Sequence, residues 1–369
     1  MIPVCKPLFG SREKELLNQC LESEWISSDG PFVRQFEDQF SNYVGCQHGI
    51  AVNNGTAALE AALFALGVMD GDEVILPSFT IISCVLAVVR LGAKPVLVDC
   101  EPDTWNMDTT QVENLITKKT KVIMAVHMYG HPTDMDPLLK LKIKYNLMIL
   151  EDCAQVHGAE YKGKKCGSIG DAASFSFYSN KIITTGEGGM VTTRDGKFAE
   201  RARSYRNLCF MEGRRFYHED LGYNFRMTNL QAAIGVAQFE RIDEFVAKKR
   251  EIGQYYTENL QKIPGVKTQV EKPWAKCVYW MYCIELDKNL GLSARLAMQK
   301  LEELNIQCRP FFLGMHSQPA LKNYKFSQDA FPIADRIAEY GFYVPSSVGL
   351  DRKTIDYVIE SVGRVVREV

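Results

Sequence analysis

The sequence predicts an α/β protein: a mostly parallel sheet in a large N-terminal domain, followed by a smaller α+β domain. Three observations predict it. Short apolar runs alternate with amphipathic helical stretches through the first two-thirds of the chain, the pattern of a sheet covered by helices on both faces. A long helical run opens at Asn229, and Pro264-Gly265 breaks the chain behind it. The 369 residues suit about two domains at roughly 100–200 residues each.

Taken in order, the candidate strands are His48–Val52, Glu73–Leu76, Lys94–Asp99, Lys121–His127, Leu147–Glu151, Ala172–Phe177 and Gly189–Thr193. Helical patterns fall between the first five, at Gly55–Leu66, Ile81–Leu91, Thr109–Thr117 and Met135–Tyr145. Thr-Thr-Gly-Glu-Gly-Gly, not a helix, separates the last two strands, so one of that pair is expected to run antiparallel. The run from Asn229 to about Leu260 reads as one long helix. Beyond it come strand-like Cys277–Leu286, helix-like Ala294–Leu304, strand-like Ile306–Phe312 and a terminal helix Asp351–Glu368. The domain boundary is expected near residue 245, giving domains 1–245 and 246–369.

Charge and composition exclude several classes. With 43 basic and 45 acidic side chains the formal charge is -2, and no basic block offers bulk attraction to nucleic acid or an anionic membrane. Apolar runs such as Cys84–Val89 fall far short of the roughly 20 residues a membrane helix needs. Met1–Gly10 has no apolar stretch of a secretory signal, so a cytoplasmic location is expected. The 11 cysteines are odd in number, have no CxxC pair and sit partly inside apolar runs. They read as reduced, buried packing residues with no part in catalysis.

Three features converge on the carboxyl edge of the predicted sheet, where open α/β sheets bind ligands. Asn53-Asn54-Gly55-Thr56 follows a strand and opens a helix, whose free N–H groups form an anion site. Glu151-Asp152 ends a strongly apolar strand and brings a carboxylate to the crevice. Ser179-Asn180-Lys181 puts an amine just past another strand, beside aromatics and a glycine-rich turn. Partial desolvation would make that amine a nucleophile. Phosphate turn, aspartate and lysine, in that order, meet the needs of pyridoxal 5′-phosphate (PLP). Its aldehyde takes a lysine, its ring nitrogen a carboxylate, and its phosphate a helix N-terminus.

On these and further motifs the chain resembles the nucleotide-sugar aminotransferases of the DegT/DnrJ/EryC1/StrS type. The motifs include Trp25-Ile26-Ser27-Ser28, Gly71-Asp72-Glu73-Val74, Gly186-Glu187-Gly188-Gly189 and Gly222-Tyr223-Asn224-Phe225-Arg226. Within that family it is most similar to the GDP-perosamine synthases, through Asp103–Asp108, His127–Pro132, Asn180–Gly186 and Arg309-Pro310-Phe311-Phe312. The resemblance implies the type I aspartate aminotransferase fold and a cytoplasmic homodimer with shared active sites. It implies that Lys181 joins the cofactor and shuttles a proton, and that Asp152 holds the ring nitrogen. Gly55, Thr56 and Ser176 would bind phosphate, with Asn224 reaching it from the neighbouring subunit. Gln155 would lie near the cofactor's hydroxyl or the sugar, and Ile81 against the ring. Tyr178, Arg226, Arg309 and His316 would face substrate. The implied reaction aminates a nucleotide-linked 4-keto-6-deoxyhexose, GDP-4-keto-6-deoxymannose, with glutamate as donor.

Two departures from the family pattern stand out. Ile81 stands where an aromatic usually stacks on the ring. Gln155 and His157 stand where perosamine-type sequences commonly have Glu and Phe, and Gln155-Val156-His157-Gly158 is closer to relatives that aminate the third carbon. A 3-aminotransferase, or a 4-aminotransferase of dTDP- or UDP-linked sugars, is therefore the alternative. Outside this class stand a PLP-binding regulatory protein without turnover and a metal-dependent glycosyltransferase built on Asp134 and Asp136. No metal is expected. Asp134 and Asp136 suit the start of a helix, and His127 and His131 flank a strand exit beside Pro132.

Overall fold

A computed structural model describes residues 1–211, 213–327 and 330–368. Two helices, α1 (Ser11–Glu22) and α2 (Pro31–Val44), precede the first strand. The strands β1 (His48–Val52), β2 (Glu73–Pro77), β3 (Lys94–Val98), β4 (Thr120–Val126), β5 (Met148–Asp152), β6 (Ala172–Ser176) and β7 (Gly189–Thr193) form one sheet in the order β1-β7-β6-β5-β4-β2-β3. The pairs β2–β3, β2–β4, β4–β5 and β5–β6 are parallel. β7 runs antiparallel to both β6 and β1, as the missing helix before it implies. All six other strands therefore end at one edge, and β7 begins there.

The central strands are near-continuous apolar runs because both faces are covered. Val74, Ile75, Leu76, Val122, Ile123, Met124, Ile149 and Leu150 are fully buried. Helix α3 (Gly55–Ala65) is apolar almost all round and is accordingly buried on nearly every side. Its N-cap is Asn54, whose side chain accepts from the Ala57 N–H at 2.8 Å, a cap worth about 1 kcal/mol. Helix α4 (Ile82–Arg90) follows β2 and packs on α3.

A second sheet, antiparallel, forms behind Pro264-Gly265. Its strands β8 (Val266–Thr268), β9 (Tyr282–Leu286), β10 (Arg309–Pro310) and β11 (Gly341–Val344) lie in the order β8-β9-β11-β10. Its own core joins Ile252, Tyr256 and Leu260 to Ile284, Leu301, Phe342, Val358, Val362 and Val365. The last three lie on the helix Arg352–Arg367, capped by Asp351. The chain's first residues also lie here: Ile2 bonds through its backbone to Asn305 and Gln307.

Four expectations shift. The pattern at Thr109–Thr117 yields only a short helix at Val112–Leu115, because the Asp108 carboxylate takes the Thr110 N–H and hydroxyl into a turn. The run from Asn229 divides into Asn229–Phe239 and Ile242–Leu260, with Arg241 outside helical geometry and no glycine or proline to mark the break. Ile306–Phe312 shrinks to the two residues of β10 at the sheet's edge, where Pro310 lacks a donor. Cys277–Leu286 is strand only from Tyr282, since Tyr279 takes a left-handed φ of 46°. The helices Ser11–Glu22, Pro31–Val44, Gly196–Arg206 and Pro332–Tyr340 are additional to those the sequence pattern assigns.

No helix among the described residues is long and apolar enough to cross a membrane. All eleven cysteines are free, nine of them buried.

Candidate active site

At the edge where the parallel strands end lies a cavity of about 720 Å³. The turn after β1 lines it with Asn54, Gly55 and Thr56; the segment after β2 adds Ile81 and Ser83. Asp152 and Gln155 come from the end of β5, Ser176, Tyr178 and Lys181 from the end of β6. Trp280, Phe312 and Tyr343, from the C-terminal sheet and the segments flanking its strands, close it. Eight of the residues singled out by sequence thus meet in one space: Gly55, Thr56, Ile81, Asp152, Gln155, Ser176, Tyr178 and Lys181.

The amine and the carboxylate are the charged core of this space. Burial lowers the Lys181 ammonium to about 8, opposed by the Asp152 carboxylate. Asp152 is only 3% exposed. Its Oδ1 accepts from the Ala154 N–H at 2.9 Å and its Oδ2 from the Cys84 thiol at 3.1 Å. Burial and the neighbouring carboxylate hold the Cys84 thiol well above its ordinary value, so it stays a proton donor. Cys84 therefore has a contact at the site, where the sequence reading gives every cysteine a packing role only. No local signal marks it, because the two residues lie 68 positions apart.

The other end of the cavity is built for an anion. The first N–H groups of a helix have no intrahelical acceptor. Asn54 takes that of Ala57, leaving those of Gly55 and Thr56 on residues that line the cavity. Gly55 is required by close approach: a Cβ there would stand 2.7 Å from the Ser176 Cβ. The Thr56 hydroxyl pairs with Ser83 Oγ at 2.9 Å. Gln155 accepts from the Tyr129 N–H at 2.7 Å, which fixes its side-chain oxygen toward the backbone.

The remaining candidates lie elsewhere in the chain. Asn224 is exposed and bridges to Asn207. Arg226 donates to Asn207 and lines a separate cavity of about 1120 Å³ with Ser27, Ser28, Arg203 and Arg206. Arg309 is exposed on the edge strand β10. His316 is buried against Phe331, its Nε2 donating to Asp335 at 2.9 Å and its Nδ1 paired with Ser78 Oγ at 2.7 Å. His157 packs among Phe40, Phe175 and Phe177 and does not line the cavity.

The histidines and acids weighed as metal ligands have structural partners. His127 Nδ1 accepts from the Thr133 N–H, and its Nε2 donates to Glu151 Oε2 at 3.1 Å, so both ring nitrogens are used. Cys153 lies close to this pair. Burial raises the Glu151 carboxyl, yet His127 and the N–H groups of Gly167 and Gly170 hold it below its usual range. His131 donates to the Pro132 carbonyl and accepts from the Lys272 N–H. Asp134 accepts from Tyr161, and Asp136 pairs with Lys162 at the head of the helix Met135–Tyr145.

The DegT/DnrJ/EryC1/StrS aminotransferase family matches residues 7–363. The chain belongs to this family. The aminotransferase is 42% identical to the GDP-perosamine synthase of Caulobacter vibrioides, over 99% of this chain and 98% of that one. It is 37% identical to the dTDP-3-amino-3,6-dideoxy-alpha-D-galactopyranose transaminase of Aneurinibacillus thermoaerophilus, over 95% of this chain and 94% of that one. The PLP form of Spr1654 from Streptococcus pneumoniae superposes with a TM-score of 0.93 at 27% identity, covering 100% of this chain and 99% of that one. The protein is a PLP-dependent aminotransferase of the type I aspartate aminotransferase fold. Its residues fit the cofactor: an anion cradle that a Cβ at Gly55 would fill, a buried carboxylate and a depressed lysine, all around one cavity.

Proposed function

We propose that the aminotransferase converts a nucleotide-linked 4-keto-6-deoxyhexose, GDP-4-keto-6-deoxymannose, into its 4-amino sugar, with glutamate as amino donor. The observation that carries the reading is the meeting of Lys181, Asp152 and the Gly55–Thr56 turn around one cavity, in a chain so similar to a GDP-perosamine synthase. When bound, PLP supplies an aldehyde to receive the amino group and a ring that draws off electrons. Lys181 would hold the cofactor covalently and, once freed, would carry a proton to and from the reacting carbon. Asp152 would hold the ring nitrogen in its protonated form. Gly55, Thr56 and Ser176 would hold the phosphate through N–H and hydroxyl groups. We take the enzyme as a cytoplasmic homodimer in which Asn224 of each protomer completes the other's phosphate site. Its exposure away from its own cavity supports that reading. Residues 1–245 would form the cofactor domain and 246–369 the smaller one.

A second reading, amination at the third carbon or of a dTDP-linked sugar, is favoured by Gln155 and by the transaminase of Aneurinibacillus thermoaerophilus. His157 gives it no direct support, since that ring lies outside the cavity lining. Incubating the purified enzyme with glutamate and a panel of GDP-, dTDP- and UDP-linked keto-sugars separates the two. NMR of the product from the GDP sugar is expected to show nitrogen on the fourth carbon. Turnover of only a dTDP or UDP sugar, or nitrogen on the third carbon, would sink the first reading.

The depressed lysine sets a pH dependence. Only a neutral amine attacks the aldehyde, and with its pKa lowered to about 8 about a tenth of Lys181 is neutral at pH 7. Stopped-flow absorbance should show the apoprotein capturing PLP faster as pH rises, with a plateau above about pH 8 to 9. A rate still climbing toward the ordinary lysine range, about pH 10, would contradict this assignment.

A further inference from the structure

Trp280 lies beneath the amine. Lys181 Nζ stands 3.8 Å from the centroid of its indole ring, and Trp280 is only 4% exposed. The ring is held on several sides. Its Nε1–H donates to the Asn180 carbonyl at 2.8 Å, so the indole is indexed to the residue just before the lysine. It stacks on Tyr129 with centroids 6.1 Å apart and planes 12° from parallel. The backbone behind it is fixed by the left-handed Tyr279 and by Gly130, where a Cβ would come within 2.6 Å of the Tyr279 nitrogen.

The other groups around the amine offer it one carboxylate. Asp152 favours the ammonium, and the thiols of Cys5 and Cys84 also face it. His157, which burial keeps neutral, lies near enough to feel the lysine's charge. Asp152 is already engaged by Ala154 and Cys84. An aromatic face attracts a cation through its quadrupole, most strongly where water is excluded.

We propose that the Trp280 indole face is the resting place of the Lys181 ammonium whenever the lysine is not joined to the cofactor, making Trp280 a positioning residue for the proton-carrying amine. The proposal rests on the reading of Lys181 as the cofactor lysine. It implies that the amine is parked in a fixed direction between half-reactions, free of an ion pair that would have to be broken for its return.

The test uses apoprotein labelled with 15N-lysine, with the Lys181 side-chain signal assigned by its absence in Lys181→Ala. In Trp280→Leu the protonation constant of Lys181 should fall about tenfold, and Trp280→Phe should recover part of the loss. In the loaded enzyme kcat should fall while KM for glutamate holds, and the acid limb of the kcat profile should move down in pH by the same factor. If the Leu variant does not fold, fluorinated tryptophans in the wild-type chain, which weaken the face without changing its shape, should lower the constant stepwise. A Lys181 titration unmoved by either series, or equal losses in Phe and Leu, would overturn the proposal. Failure of the underlying reading looks different: borohydride would then fix PLP to the Lys181→Ala protein, whatever the titrations show.

Discussion

Asp152→Asn is expected to lower turnover by on the order of 10³-fold, with the protein still folded. The buried carboxylate accepts from two donors, the Ala154 N–H and the Cys84 thiol. An amide has a single acceptor oxygen, so its NH2 group must face one of those donors. More important, a neutral amide no longer favours a protonated ring nitrogen, and the ring then draws electrons poorly. Losing the negative charge should also push the Lys181 pKa below about 8, because Asp152 is what opposes burial there. The midpoint of PLP capture by the variant apoprotein should move to lower pH. Single-turnover kinetics with glutamate measure the first effect and the capture profile the second. Turnover within a factor of a few of wild type would remove Asp152 from its assigned role.

Lys181→Ala should be the other severe lesion, with turnover down on the order of 10⁴-fold and no borohydride-stable attachment of PLP. Reversible binding should survive, since the Gly55–Thr56 turn and Ser176 are untouched. One other buried amine could mislead the experiment. Burial also lowers Lys249 to about 8, but its Nζ is committed to the Ser346 carbonyl at 2.5 Å and hydroxyl at 3.1 Å. It does not line the cavity that holds Lys181 and Asp152. Peptide mapping of the reduced wild-type holoenzyme should therefore recover the label at Lys181, and a label at Lys249 would reverse the assignment.

The sheet was legible because its strands are buried on both faces and so are written as uninterrupted apolar runs. The reversal of β7 was legible too, since the glycine-rich segment ahead of it holds no helix to make a parallel crossover. The helix Pro31–Val44 carries its stripe openly in Val33, Phe36, Phe40 and Val44 but remained unassigned beside the stronger strand pattern. The division at Arg241 had no breaker residue to announce it. In the site, Gly55, Asp152 and Lys181 could be found because each sits just past or at the end of a strand, where local pattern and chemistry coincide. Trp280 and Cys84 could not. Their contacts to Asn180 and Asp152 span 100 and 68 positions, and each reads locally as a core residue. Tertiary packing, not local spacing, gives them their place.

The adjacent acids Glu151 and Asp152 close β5 on opposite faces. The longer side chain gathers His127 and the N–H groups of Gly167, Ile169 and Gly170; the shorter meets the cavity. Successive strand residues alternate sides, so the strand behaves as a ruler with a phase. Adding one residue to the strand ahead of this pair would exchange their sides, sending the longer acid to the cavity and leaving the 167–170 loop without its acceptor. A change of two would restore the sides but displace both acids by roughly 6.6 Å along the strand. Length variation within β5 just upstream of Glu151 should thus be tolerated in neither odd nor even steps: odd steps present the wrong acid to the cavity, and even steps leave the amine and the phosphate turn with a carboxylate out of reach.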